Sequence, residues 1–161
     1  MARALIVGCG CRGRSLGRQL AAEGWTVRGT SRGAGLGAIE AAGIEPARAD
    51  PDRPGTVLEL VADVAVIHWL LGSARGEQGL LEALHGARLE RLLERLVDTP
   101  LRGFVYERGG EVADEHRSAG AEIVERAAAT WRLPVRLVDA DPGDVDRWLA
   151  EMLAASRELV A

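Results

Sequence analysis

The chain has 161 residues, 47% of them apolar and 27% charged, with a formal net charge of −4. That size and apolar share predict a single domain over 1–161 with its own core and exclude disorder, and the interspersed acids and arginines leave no basic patch for nucleic acid. No apolar run approaches the roughly 20 residues of a membrane span, and the first apolar run starts too early for a signal peptide, so the expected location is cytoplasmic.

Ala4-Leu5-Ile6-Val7 reads as a buried strand. Gly8-Cys9-Gly10-Cys11-Arg12-Gly13 follows, spelling G-x-G-x-x-G, and then a helical stripe of Leu16, Leu20 and Ala21 closed by Gly24. Strand, glycine turn and helix in this order form the layout of a dinucleotide-binding βαβ unit. Gly8 permits the tight turn, Gly10 lets a pyrophosphate approach the backbone, and Gly13 brings the helix close to the strand. The phosphates then face free N–H groups at the positive end of the helix.

Residues 25–30 read as a second strand, followed by a short helix around Leu36, Ile39 and Ala42. A weaker third strand covers 44–49, and a turn at 50–54 leads to a helix with Val57, Leu58 and Val61 inward. Residues 63–69 form the fourth strand. Its continuous apolar run suits a parallel sheet covered on both faces. Glycines at 72, 76 and 79 mark a loop. Leu84, Leu89, Leu92, Leu93 and Leu96 stripe a long helix that Gly86 could break. Residues 103–106 form the fifth strand. Ile123, Val124, Ala127, Ala128 and Trp131 share a helical face, and 134–138 form the sixth strand. Asp141 is a plausible N-cap with Pro142 after it. The last helix is expected to bury Val145, Trp148, Leu149, Met152 and Leu153. Alternating strands and helices predict an α/β fold: one doubly wound, six-stranded parallel sheet in order 3-2-1-4-5-6, with ligand at the carboxyl ends of strands one and four.

The chemistry is bounded by what is missing. All 20 basic residues are arginine, so a Schiff base or a Tyr/Lys pair is excluded. At the end of strand two, where an NAD site usually offers an acid, stand Thr30-Ser31-Arg32. Hydroxyls and a guanidinium suit a 2′-phosphate, so NADP is expected ahead of NAD, with Arg12 and Arg14 adding charge. Asp50 could accept from an adenine amine or cap a helix. His68 could touch the nicotinamide ribose or act as acid or base; a packed histidine is the commoner arrangement at such a position. Trp69 and the Gly72 loop are candidates for a pocket wall. Glu107 is a candidate general base and Arg108 an anion clamp, unless both are solvated loop charges; His116 and Arg117 could face the same cleft. Cys9 and Cys11 read as small side chains in a tight turn. The alternative is a redox switch, since thiolates at a helix N-terminus have lowered pKa.

Several segments together resemble the atypical branch of the extended short-chain dehydrogenase/reductases. They are Gly8 to Gly13, Gly29-Thr30-Ser31-Arg32, 63–68, 103–106 and 133–137. The resemblance implies a Rossmann sheet binding NAD(P). The glycines at 8, 10 and 13 would bind pyrophosphate, Ser31 and Arg32 the adenosine phosphate, and Asp50 the adenine. It also matches His68 to a histidine common at the end of the fourth strand. Active members carry a serine past strand five and Tyr-x-x-x-Lys on the next helix. Here those regions hold Glu107-Arg108-Gly109-Gly110 and Asp114 to Ser118, so the usual proton relay is missing. The family's C-terminal substrate portion is not found after strand six. Two readings follow. One is a reductase of an unknown small molecule, with His68, Glu107 or His116 as the acid–base group. The other is a non-catalytic dinucleotide-binding sensor. The helices at 87–98 and 117–131 resemble those through which the family forms homodimers.

Overall fold

Successive side chains of the first strand point to opposite faces of the sheet, and here both faces are apolar. A computed structural model describes residues 2–161. In it β1 (Arg3–Val7) sends Ala4 and Ile6 into one core and Leu5 and Val7 into the other, all four fully buried. β2 (Thr26–Ser31) and β3 (Glu45–Arg48) lie to one side, and β4 (Val66–Trp69), β5 (Gly103–Glu107) and β6 (Val135–Val138) to the other. Every pairing is parallel and the order is β3-β2-β1-β4-β5-β6. The expected doubly wound topology is therefore present. β3 carries Pro46, which an edge strand tolerates.

Helices α1 (Cys11–Ala22), α2 (Leu36–Ala41) and α7 (Val145–Val160) cover the face of Ile6, Val66 and Val105. Helices α3 (Pro54–Leu58), α4 (Gln78–Leu84), α5 (Ala87–Arg95) and α6 (Asp114–Trp131) cover the face of Leu5, Ile67 and Phe104. Gly17 lets α1 approach closely: a Cβ there would lie 2.3 Å from the Ile44 side chain.

The leucine stripe breaks where Gly86 allowed it, into α4 and α5 around His85 and Gly86. A Cβ on Gly86 would lie 2.7 Å from the Glu82 carbonyl, so the backbone itself closes this corner. Three local expectations need correction. β4 begins at Val66 rather than at 63, because 62–63 form a turn. Asp141 does not cap α7; its carboxylate accepts from the Gly143 N–H inside a turn, and Asp144 caps the helix through the Arg147 N–H. Val145, expected inward, is 45% exposed, because α7 begins at this residue, before its apolar face meets the sheet. No described helix is long and apolar enough to cross a membrane.

Candidate functional site at the strand carboxyl ends

The glycine turn sits where β1 and β4 part. Gly8 adopts φ +83°, a conformation disfavoured for side-chain-bearing residues, and a Cβ there would lie 2.6 Å from the Leu70 carbonyl. Gly10 is the N-cap of α1 and carries no side chain to satisfy the helix's first N–H groups. A Cβ on Gly10 would meet nothing within 4 Å, so the space above it is open. Those unpaired donors and the helix dipole face this space, an arrangement suited to an anion.

A cleft of about 380 Å³ opens from the turn across β1, β2 and β3. Gly8, Gly10 and Arg12 form one side, and Thr30, Ser31 and Arg32 the β2 side. Leu70, Leu71, Ser73 and Ala74, from the segment after β4, close it. Three guanidiniums line it, Arg12, Arg14 and Arg32, and no carboxylate does. None of the three has an ion-pair partner among the described residues. Nε of Arg12 is buried with no hydrogen-bond acceptor, which is costly unless a ligand supplies one. The Ser31 hydroxyl accepts from the N–H groups of Gly33 and Gly35, at 3.1 and 3.0 Å, which positions the Arg32 corner.

Asp50 lies beyond Pro51 in an adjoining cavity of about 180 Å³, shared with Arg32, Leu71 and Leu80. One of its carboxylate oxygens accepts from the Asp52 N–H, and α3 is capped at Arg53 instead, so the helix-cap reading of Asp50 does not hold. Cys11 is exposed at the start of α1. Cys9 is buried against Gly29, whose Cβ would lie 2.7 Å from the sulfur. Burial pushes the Cys9 thiol up to about 11, against the pull of Arg14, so it stays protonated and does not form the thiolate a redox switch needs.

The candidate acid–base residues are not brought together. His68 is completely buried, with Nε2 2.7 Å from the Ser156 hydroxyl. The same hydroxyl donates to the Met152 carbonyl at 2.8 Å, so the ring is held against the backbone of α7 through Ser156. Burial lowers the His68 pKa to about 4. The side chain ties α7 to the sheet and does not reach the cleft, which corrects its assignment as an acid–base or ribose contact. Trp69 is likewise enclosed, packed on Phe104, so it is not a pocket wall; Leu70 and Leu71 are. The alternation of β4 turns His68 and Trp69 into the two opposite cores. His116 stands on α6 beside Gln78, at 3.2 Å, and does not line the cleft. Arg108 pairs with Asp139, and Arg117 is spent on the Val112 and Arg108 carbonyls and on Asp114.

Glu107 does approach the glycine turn. It is 2% exposed and shares a cavity of about 90 Å³ with Gly10, Arg12, Leu70 and Trp148. Both its oxygens are committed, one to the Gly72 N–H at 2.9 Å and the other to the Trp148 indole at 2.8 Å. Burial raises its pKa; the two hydrogen bonds and the charges of Arg12 and Arg117 oppose the rise. In the sequence nothing but the neighbouring Gly86 marks His85. It is buried between the Tyr106 hydroxyl and the Leu71 carbonyl, and so holds the segment that closes the cleft.

No protein-family model matches the chain, and no curated protein matches it in sequence. Solved structures do match in fold. UDP-glucuronic acid 4-epimerase from Bacillus cereus in complex with NAD superimposes with a TM-score of 0.69 at 18% identity, covering 85% of this chain and 55% of that one. A short-chain dehydrogenase/reductase superfamily protein from Agrobacterium tumefaciens with bound NAD gives 0.70 at 16% identity, covering 85% and 48%. Vestitone reductase from alfalfa gives 0.66 at 12% identity, covering 86% and 56%. The chain has the Rossmann fold of these epimerases and reductases. It spans about half the length of each neighbour.

Proposed function

We propose that this chain binds a nicotinamide adenine dinucleotide, NADP(H) ahead of NAD(H), as a binding or sensor protein and not as a catalyst. The observation that carries this reading is the cleft of three unpaired guanidiniums and no carboxylate beside an open glycine turn. The α1 N-terminus and Arg12 would hold the pyrophosphate, and Arg32 with Thr30 and Ser31 the adenosine phosphate. Guanidinium–phosphate hydrogen bonds are the stronger, charge-assisted kind. Asp50, at the edge of the adjoining cavity, would accept from an adenine amine.

Rapid reduction of a carbonyl by bound nicotinamide is helped by a protein acid or base beside the reacting oxygen. His68 is sealed in the core, His116 stands apart from the cleft, and Glu107 is buried and held by the Gly72 N–H and the Trp148 indole. The arrangement therefore favours binding over turnover. Exposed Val97 and Trp131, near the C-terminal ends of the α5 and α6 region, fit a homodimer formed through these helices.

Calorimetric titration with NADPH, NADP⁺ and NADH, repeated on Arg32→Ala, tests the reading. NADPH should bind to the wild type, and Arg32→Ala should weaken NADPH about tenfold or more while leaving NADH nearly unchanged, from the loss of about 1.5–3 kcal/mol of charged hydrogen bonding. If none of the three binds, the reading is wrong.

A further inference from the structure

A doubly wound sheet offers two mononucleotide-binding halves, one on each side of the switch point. In this chain they are unequal. The β1–β2–β3 half carries the arginine-lined cleft of about 380 Å³, a size within the roughly 300–1,000 Å³ of small-molecule sites. The β4–β5–β6 half leaves about 90 Å³ beside the glycine turn, and Glu107 and Trp148 bound it.

The second half is closed by the chain's own backbone. After β4, β5 and β6 the chain runs through Gly72, through Gly109 and Gly110, and through Ala140. A Cβ on Gly110 would lie 2.0 Å from the Gly72 carbonyl, and one on Gly109 would lie 2.4 Å from the Ala140 carbonyl. Hydrogen bonds complete the closure: the Val112 N–H donates to the Gly72 carbonyl at 2.9 Å, and the Glu111 N–H to the Ser73 hydroxyl at 3.2 Å. Beneath them Glu107 accepts from the Gly72 N–H and the Trp148 indole, which fixes its carboxylate between the closing loop and α7. Side-chain-free backbones in direct contact leave no layer for an aromatic ring to enter.

We propose that the site recognises the adenosine-phosphate half of its ligand alone, and that the second nucleotide contributes no affinity. The ligand class is a 2′-phosphorylated adenosine 5′-diphosphate, whatever its distal group, and oxidised and reduced dinucleotides are bound equally. This inference rests on the dinucleotide reading above.

Calorimetry on the whole wild-type chain tests it, with NADPH, NADP⁺ and 2′-phosphoadenosine 5′-diphosphoribose, which lacks the nicotinamide. Dissociation constants for all three within fivefold of one another are expected. A dinucleotide that binds more than fivefold tighter than the truncated ligand would overturn the inference and leave dinucleotide binding intact. Absence of binding by all three would overturn the dinucleotide reading itself, and this inference with it.

Discussion

The Tyr106 hydroxyl lies 2.6 Å from Nδ1 of His85, whose Nε2 lies 2.9 Å from the Leu71 carbonyl. A carbonyl only accepts, so Nε2 carries the imidazole proton and Nδ1 accepts from the phenol. The Arg117 carbonyl, 3.3 Å from the same phenol oxygen, is the weaker alternative for that proton. Burial pushes the phenol above its usual range and the imidazole below its own, so both stay neutral. The chain of bonds links β5, the α4–α5 corner and the segment that closes the cleft.

Tyr106→Phe removes the hydroxyl and strands Nδ1 of His85. An unsatisfied buried acceptor costs about 1–3 kcal/mol, so the variant's unfolding midpoint should fall accordingly in a denaturant titration. Gly120 makes a sharper test, because a Cβ there would lie 2.1 Å from the Tyr106 oxygen. Gly120→Ala should destabilise the wild type strongly. Combined with Tyr106→Phe it should cost less than the sum, by at least about 1 kcal/mol, as contacting residues usually do. Strict additivity of the two changes would mean that the hydroxyl does not occupy the space over Gly120.

His68 sets a pH dependence whose sign follows from its depressed pKa. In the folded chain it titrates near 4, and unfolded near its ordinary 6.5. Between those values the unfolded state binds a proton that the folded state refuses, so stability falls as pH drops from about 6.5 toward 4. One such group contributes about 1.4 kcal/mol per pH unit in that window. His68→Leu removes the term, and the Ser156 hydroxyl keeps its bond to the Met152 carbonyl. The variant should gain on the wild type steadily as pH is lowered from 7 to 5. The raised pKa of Glu107 acts in the opposite sense, and the lowered one of His85 in the same sense, but both are common to the two proteins and cancel. A stability gap that does not change with pH would contradict the sealed, neutral His68.

Gly8 and Gly10 belong to one motif and answer to different forces. Gly8 needs its positive φ, and a side chain would collide with the Leu70 carbonyl, so Gly8→Ala should cost about 1–3 kcal/mol of stability. Gly10 has extended backbone and empty space around it. Gly10→Ala should leave stability within about 1 kcal/mol, since a poorer cap and a stiffer unfolded chain oppose each other. It should nonetheless weaken NADPH binding at least tenfold, because the methyl stands where a phosphate would approach. Unchanged affinity in a folded Gly10→Ala would assign that open space to solvent.

The sheet order was legible because it rests on local patterns: apolar runs, a glycine turn and crossover-length helices repeated along the chain. The phosphate side of the site was legible for the same reason, since Gly8 to Gly13 and Thr30 to Arg32 each act within one segment. The opposite side was not. Either phase of β4 puts His68 in a core; what decides its distance from the cleft is where the strand ends, since the lining begins only at Leu70, and a continuous run through Leu70 and Leu71 hides that end. Glu107 is held by Gly72, distant in sequence, and by Trp148 on the last helix, neither of which any local pattern ties to strand five. His85 is defined entirely by partners on other elements.

Arg12 and Arg18 share one helix and separate charge from position. Arg12 lines the cleft with its Nε buried and unpartnered, whereas Arg18 is exposed and lines none of the cleft. A general electrostatic pull on an anionic ligand would be weakened similarly by loss of either charge, and it would be screened by salt. A built phosphate contact would respond to Arg12 only. Arg12→Met should therefore weaken NADPH at least tenfold, consistent with loss of a charged hydrogen bond worth about 1.5–3 kcal/mol. Arg18→Met should change it less than twofold, and the gap between the two variants should persist when the titrations are repeated at high salt. Equal losses in the two variants would reduce the arginine cleft to a diffuse positive field, and the orphaned Nε of Arg12 would then be an unsatisfied donor with no ligand to explain it.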